Sequence, residues 1–247
     1  DHRDLHSFPT RRSSDLSPTA RGEGGTAPSI SSGFRPRDTG PVTTRPQPAG
    51  AVIRPDVIAI GSSTGGPQAL FEVLANLRTG VSQPIFITQH MPATFTTILA
   101  EHITRQCGLN AAEAKDGERI AENRCYIAPG DFHMLAVQRG GVNVIQLTKD
   151  PPENFCRPAV DPMMRSLVKT FGGRKILACI LTGMGQDGLK GCTDVVNNGG
   201  TLIGQDEASS VVWGMPGAVA QAGLCHAILP LKEIGPAIRK YASRTAA

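Results

Sequence analysis

No apolar run in this 247-residue chain approaches the roughly 20 residues that a membrane-spanning helix needs, so membrane insertion is not expected. The N-terminus lacks the basic-then-apolar order of a secretory signal, and a cytoplasmic setting is the default expectation. Six cysteines (Cys107, Cys125, Cys156, Cys179, Cys192 and Cys225) include no C-x-x-C pair. That argues against a zinc site and against a disulfide framework, and for reduced, mostly buried thiols. Strong charge is missing as well. Residues 1–16 hold three Arg against three Asp, and residues 17–55 hold five Arg against Glu23 and Asp38; of the formal +4, that leaves +1 for residues 56–247. A nearly neutral body gives no reason to expect nucleic acid as a partner. A hydrophobic content of 40% is enough for a real core, and the length allows one large or two modest domains.

The chain divides unevenly. Residues 17–55, "SPTARGEGGTAPSISSGFRPRDTGPVTTRPQPAGAVIRP", are rich in Pro, Gly, Ser and Thr and nearly free of large apolar groups. Such a segment cannot bury enough surface to offset its ordering entropy, and a disordered linker is expected there. Upstream, "HSFPTRRSSDL" at residues 6–16 resembles a short-read sequencing adapter translated in one frame. Residues 1–16 are therefore read as an assembly artefact and set aside.

From Asp56 the pattern alternates. Short apolar runs, "DVIAI" (56–60), "PIFIT" (84–88), "KILACIL" (175–181) and "TLIGQ" (201–205), are separated by stretches of helical spacing such as "PQALFEVLANL" and "TFTTILAEHI". This predicts an α/β fold, a doubly wound and mostly parallel sheet with flanking helices. Between them, "CYIAP", "HMLAV" and "VNVIQL" read as extended segments with a hairpin at Arg139-Gly140-Gly141, an antiparallel insertion.

In an open parallel sheet, functional groups gather beyond the carboxyl ends of the strands. After "DVIAI" comes Gly61-Ser62-Ser63-Thr64-Gly65-Gly66, after "PIFIT" comes Gln89-His90, and after "KILACIL" comes a glycine-rich turn through Met184 to Asp187. Ser63, His90 and Asp187 at three strand ends are the inventory for an activated hydroxyl nucleophile. Each also has a plainer reading: Ser62, Ser63 and Thr64 as caps of the helix starting at Pro67, His90 as a packed histidine before a Pro turn, Asp187 as the N-cap of "LKGCTDVVNN". His102 sits inside an amphipathic helix and His226 in an apolar run, which leaves His133, near Asp131, as the reserve base. The match of Gly61, Ser63 and Gly65 to G-x-S-x-G invites an α/β-hydrolase reading, but the order Ser63, His90, Asp187 is wrong for that fold. "GSSTGG" is neither G-x-G-x-x-G nor a loop ending in Gly-Lys-Ser/Thr.

Seven segments, "AIGSSTGGPQAL", "ITQHMP", "DGERI", "YIAPGDFHM", "RPAVD", "ILTGMGQDG" and "EASSVVWGMP", are similar in identity and order to the catalytic domain of the chemotaxis-type protein-glutamate methylesterases, from Asp56 to about Tyr241. The resemblance makes residues 56–247 a methylesterase catalytic domain. It implies a triad of Ser63, His90 and Asp187, main-chain oxyanion donors near Met184, an orienting role for Thr64 unless that residue only caps, and neither metal nor organic cofactor. It further implies hydrolysis of glutamate γ-methyl esters on chemoreceptor cytoplasmic regions, with glutamine deamidation as the same acyl transfer. The expected partners are those methylated receptors, a phosphorylatable receiver domain joined through the linker, and its histidine kinase. Two rivals stay open: a regulatory binding module of the same fold without turnover, and a general small-ester serine hydrolase. A monomer is the default expectation.

Overall fold

Strands apolar on both faces are stable only between two covering layers. The computed structural model, which describes residues 42–46 and 54–243, has that arrangement. In chain order the elements are β1 (Val57–Ser62), α1 (Gly66–Ala75), β2 (Ile85–Gln89), α2 (Ala93–Cys107), β3 (Ala111–Glu113), β4 (Cys125–Ile127), β5 (His133–Arg139), β6 (Val142–Thr148) and α3 (Val160–Phe171). A short 3₁₀ turn (Gly173–Lys175) leads into β7 (Ile176–Ile180), α4 (Leu189–Asn197), β8 (Thr201–Gln205), α5 (Met215–Gln221), β9 (Ala227–Leu229) and α6 (Leu231–Ala242).

Seven strands form one sheet in the order β3-β4-β2-β1-β7-β8-β9. Every pairing in it is parallel. The two-residue period of each strand splits the core. Val57, Ala59, Phe86, Ala178 and Leu202 pack with residues of α3, α4, α5 and the hairpin, among them Met163, Val195, Val219 and Ile145. Ile58, Ile60, Ile85, Ile87, Leu177 and Ile203 pack with Leu70 and Val73 of α1, Ile103 of α2 and Ile238 of α6. The antiparallel insertion consists of β5 and β6 alone. "CYIAP", expected with them, instead supplies β4 to the parallel sheet between β2 and β3, because Cys125, Tyr126 and Ile127 are all buried and fit an interior strand.

Residues 1–16 lie outside the described residues, and so does most of the expected linker. Of 17–55 only 42–46 and 54–55 are described; the former are exposed, and the Arg45 N–H donates to the Cys225 carbonyl at 2.7 Å. Among the described residues no helix is long and apolar enough to cross a membrane.

From β1 the chain winds outward to β2, and from β7 it winds the other way to β8, so the crevice at the carboxyl ends of this central pair is the topological switch point. The turns after β1 and β7 touch there. A Cβ on Gly183 would stand 2.8 Å from Ser63 Cβ, 3.0 Å from the Ser63 nitrogen and 2.5 Å from Met215 Sδ. Only hydrogen fits between these backbones. Gly183→Ala is expected to destabilise the protein by about 1–3 kcal/mol through overpacking, read as a lowered midpoint in urea unfolding with an unchanged slope.

Candidate active site

The turn after β1 is built by Gly65, at φ 78°, which serves as N-cap of α1 without any side-chain capping bond. The capping reading of Ser62, Ser63 and Thr64 therefore fails. Ser62, fully buried, donates its hydroxyl to Gln89 Oε1 at 2.7 Å. The Gln89 amide in turn donates to the carbonyls of Ser63 (2.9 Å) and His90 (3.0 Å), so one buried side chain holds the backbone at both positions. The Ser63 N–H donates to Thr182 O at 3.0 Å and the His90 N–H to Ser62 O at 3.1 Å. Gln205, at the end of β8, does for the third turn what Gln89 does for the first two. Its Oε1 accepts the Thr182 N–H at 2.8 Å and its amide donates to Ser209 O at 2.8 Å.

His90 Nε2 lies 2.7 Å from Asp187 Oδ2, with the two side chains 12% and 2% exposed. The same Oδ2 accepts the Val160 N–H at 2.6 Å. Oδ1 accepts the N–H groups of Asp161 (3.1 Å) and Gly188 (2.9 Å) and the amide of Asn154 (2.9 Å). Asp187 thus sits at the N-terminus of α3, where the helix dipole favours its charge, while Gly188 rather than Asp187 is the N-cap of α4. Burial alone would push the Asp187 carboxyl up, but the bonds from His90 and the Val160 N–H outweigh it and hold the group below the ordinary carboxylate range. An ionised carboxylate only accepts, so the shared proton belongs to His90 Nε2, and in the neutral ring Nδ1 carries the lone pair. That nitrogen lies 3.4 Å from Cys156 Sγ.

Of the expected triad, one link is closed and one is open. His90 and Asp187, 97 residues apart, are paired. Ser63 is half-buried beside them through its backbone bonds, and its hydroxyl makes no hydrogen bond among the described residues. Met184 is exposed, and its N–H has no partner among the described residues; Thr64 is exposed and caps nothing. The reserve base His133 is buried elsewhere, its Nδ1 accepting the Ala159 N–H at 3.2 Å and its Nε2 3.1 Å from Pro151 O. His226 Nδ1 accepts the Leu202 N–H, and His102 of α2 makes a tilted ring contact with Phe71 of α1. Sequence reasoning missed the bracing roles of Gln89 and Gln205 and missed Asn154, Cys156 and Asp161 altogether. The available signal was positional: both glutamines end apolar strands, Asn154 and Cys156 precede the "RPAVD" segment, and Asp161 ends it.

A family model described as CheB methylesterase matches residues 58–238. The chain belongs to this family. A protein-glutamate methylesterase/protein-glutamine glutaminase of Azospirillum brasilense is 79% identical over 220 residues, covering 88% of this chain and 56% of that protein. One from a group 2 operon of Rhodospirillum centenum is 72% identical over 210 residues, covering 85% of this chain and 52% of its own length. The chain spans about half the length of these relatives. The crystal structure of the Thermotoga maritima CheB methylesterase catalytic domain superposes with a TM-score of 0.73 at 38% identity, over 76% of this chain and 99% of that one. The α/β class and the mostly parallel sheet are therefore those of a CheB catalytic domain. Among the described residues, no group of three or more His, Cys, Asp or Glu side chains is arranged to hold a metal ion.

In this CheB domain Asp187→Asn sets an amide N–H₂ against donors whichever way it turns, since both carboxylate oxygens accept at least two bonds. A loss of at least about 2 kcal/mol is expected at pH 7. Because the folded-state value is depressed, the wild-type advantage is full above the unfolded carboxyl value of about 3.9 and drains as pH falls through the lower folded value. Chemical denaturation of both proteins at pH 7 and near pH 3 should show the gap narrowing in acid.

Proposed function

We propose that this chain hydrolyses glutamate γ-methyl esters on the cytoplasmic regions of chemoreceptors, with Ser63 as nucleophile, His90 as base and Asp187 as orienting acid. The observation that carries the reading is the His90–Asp187 pair, closed at 2.7 Å at the switch point, beside a serine whose backbone shares a buried amide with His90. In the forward step Ser63 Oγ attacks the ester carbonyl carbon while Nδ1 of His90 takes the hydroxyl proton, and Asp187 stabilises the imidazolium. The unspent N–H of Met184 is a donor for the oxyanion. Collapse breaks the carbonyl–methoxy bond, and the proton on Nδ1 leaves with methanol. Water then attacks the acyl-enzyme with the same base, releasing the glutamate carboxyl and restoring Ser63. With a glutamine side chain the identical sequence expels ammonia, the second activity that the relatives' names carry.

The partners proposed with this chemistry are methylated receptors, a phosphorylatable receiver domain and its histidine kinase, all on the cytoplasmic side where the methylated residues lie. Two neighbouring serines make the test selective. Ser63→Ala should lower kcat for methanol release from methylated receptor by about 10⁴- to 10⁶-fold. Ser62→Ala, which strips a buried bond from Gln89, should cost about 1–3 kcal/mol of stability yet lower kcat by no more than about tenfold. A mild effect of Ser63→Ala, or comparable turnover of short acyl esters, would overturn the proposed function.

A further inference from the structure

The turn that presents Cys156 to the base is constrained from several sides. Glu153 and Cys156 bond to each other in both directions, the Glu153 N–H to Cys156 O at 3.2 Å and the Cys156 N–H to Glu153 O at 2.9 Å. Between them Asn154 and Phe155 have φ of 51° and 63°, the paired positive values of a primed two-residue turn. Asn tolerates that region, but Phe there is a steric outlier. Phe155 is fully exposed, so burial of its own ring does not offset the strain. What holds the turn is its inward contacts. The Glu153 carboxylate is ion-paired with Arg165 on α3, and the Asn154 amide bridges Asp161 Oδ2 and Asp187 Oδ1 at 2.9 Å each. Strained backbone that surrounding contacts over-determine marks a position where geometry matters.

We propose that Cys156 is a positioning residue for the general base: its thiol donates to His90 Nδ1 in the resting enzyme and fixes the plane of the ring. The role follows from counting protons. Asp187 accepts from Nε2, so Nδ1 needs a donor; Ser63 offers none in this structure, and Cys156 Sγ stands 3.4 Å away. Burial, helped by the negative charge of Asp187, pushes the Cys156 thiol up, so it keeps its proton at neutral pH. Held by Asp187 alone, the imidazole can pivot about one hydrogen bond; held at both nitrogens, it cannot. A thiol suits the task because it is a weak donor, and the Ser63 hydroxyl displaces it easily when an ester enters. The other five cysteines are buried away from this ring.

The kinetic arm rests on the proposed function, whereas the spectroscopic arm does not. Cys156→Ala and Cys156→Ser both remove the sulfur's bulk, but only serine keeps a donor. Cys156→Ala should lower kcat for methanol release by about 10- to 100-fold with KM nearly unchanged, and Cys156→Ser should recover most of the loss. In ¹⁵N spectra of histidine-labelled protein, with His90 assigned by its absence in His90→Gln, the Nδ1 resonance should move to the free lone-pair position in Cys156→Ala and return in Cys156→Ser. Nε2 should stay in place throughout. An Nδ1 resonance unmoved by Cys156→Ala overturns the proposal, and so does an equal loss of kcat in both variants. A wild-type protein that releases no methanol would sink the proposed function and leave the ring resonances to decide this inference.

Discussion

One buried carboxylate holds the functional end of this domain together. Asp187 is withdrawn from water, and taking its charge there is costly unless the hydrogen-bonding capacity of both oxygens is filled. Donors arrive from four separate pieces of chain: the first turn of α3, the residue after Asp187 itself, the strained turn at Asn154 and the loop after β2. Because the charge must be satisfied, each of those segments has to be where it is. Four of the five bonds tie backbone or a neighbouring amide to the carboxylate, and the fifth, to His90, orients an imidazole at the rim. Asp161, its buried neighbour, is pushed up by burial, partly relieved by the Gly191 N–H and the Asn154 amide, so the two carboxyls sharing that amide are driven in opposite directions.

The scaffold accommodates such a knot by keeping the rest of the sheet mostly apolar. Its central strands are apolar over most of their length, and their buried polar side chains gather where the strands run out: Ser62, Thr88, Gln89 and Gln205 are buried and bonded there. Two glutamines of the same reach thus tie three turns into one rim. Among the described residues the rim's unbonded groups are the Ser63 hydroxyl and the Met184 N–H, while the Cys156 thiol is turned to His90 Nδ1.

Much of this was legible along the chain, for reasons that differ by element. β1, β2, β7 and β8 are unbroken apolar runs ended by polar residues, and their alternation with helical spacing left few topologies to consider. β3 escaped notice because "AAE" is three residues long without a large apolar side chain; it is a strand only because β4 lies beside it. β4 was read into the wrong sheet, since a short extended segment carries no mark of which neighbour it pairs with. Ser63, His90 and Asp187 stood out because a polar residue after an apolar run is conspicuous. Asn154, Asp161 and Cys156 did not, because nothing in "PENFCRPAVD" tells a reader that its side chains meet a loop about thirty residues away and a histidine 66 residues away.

The sequence by itself determined the parallel α/β class, the family and the three residue types available for acyl transfer, since all of these depend on local pattern and composition. The tertiary structure alone decided which imidazole nitrogen faces Asp187, that the Ser62 hydroxyl is a brace while the Ser63 hydroxyl is unbonded among the described residues, and that a thiol stands at the other ring nitrogen. Those outcomes depend on distances of a few ångströms between segments far apart in the chain, and only the closed fold sets such distances.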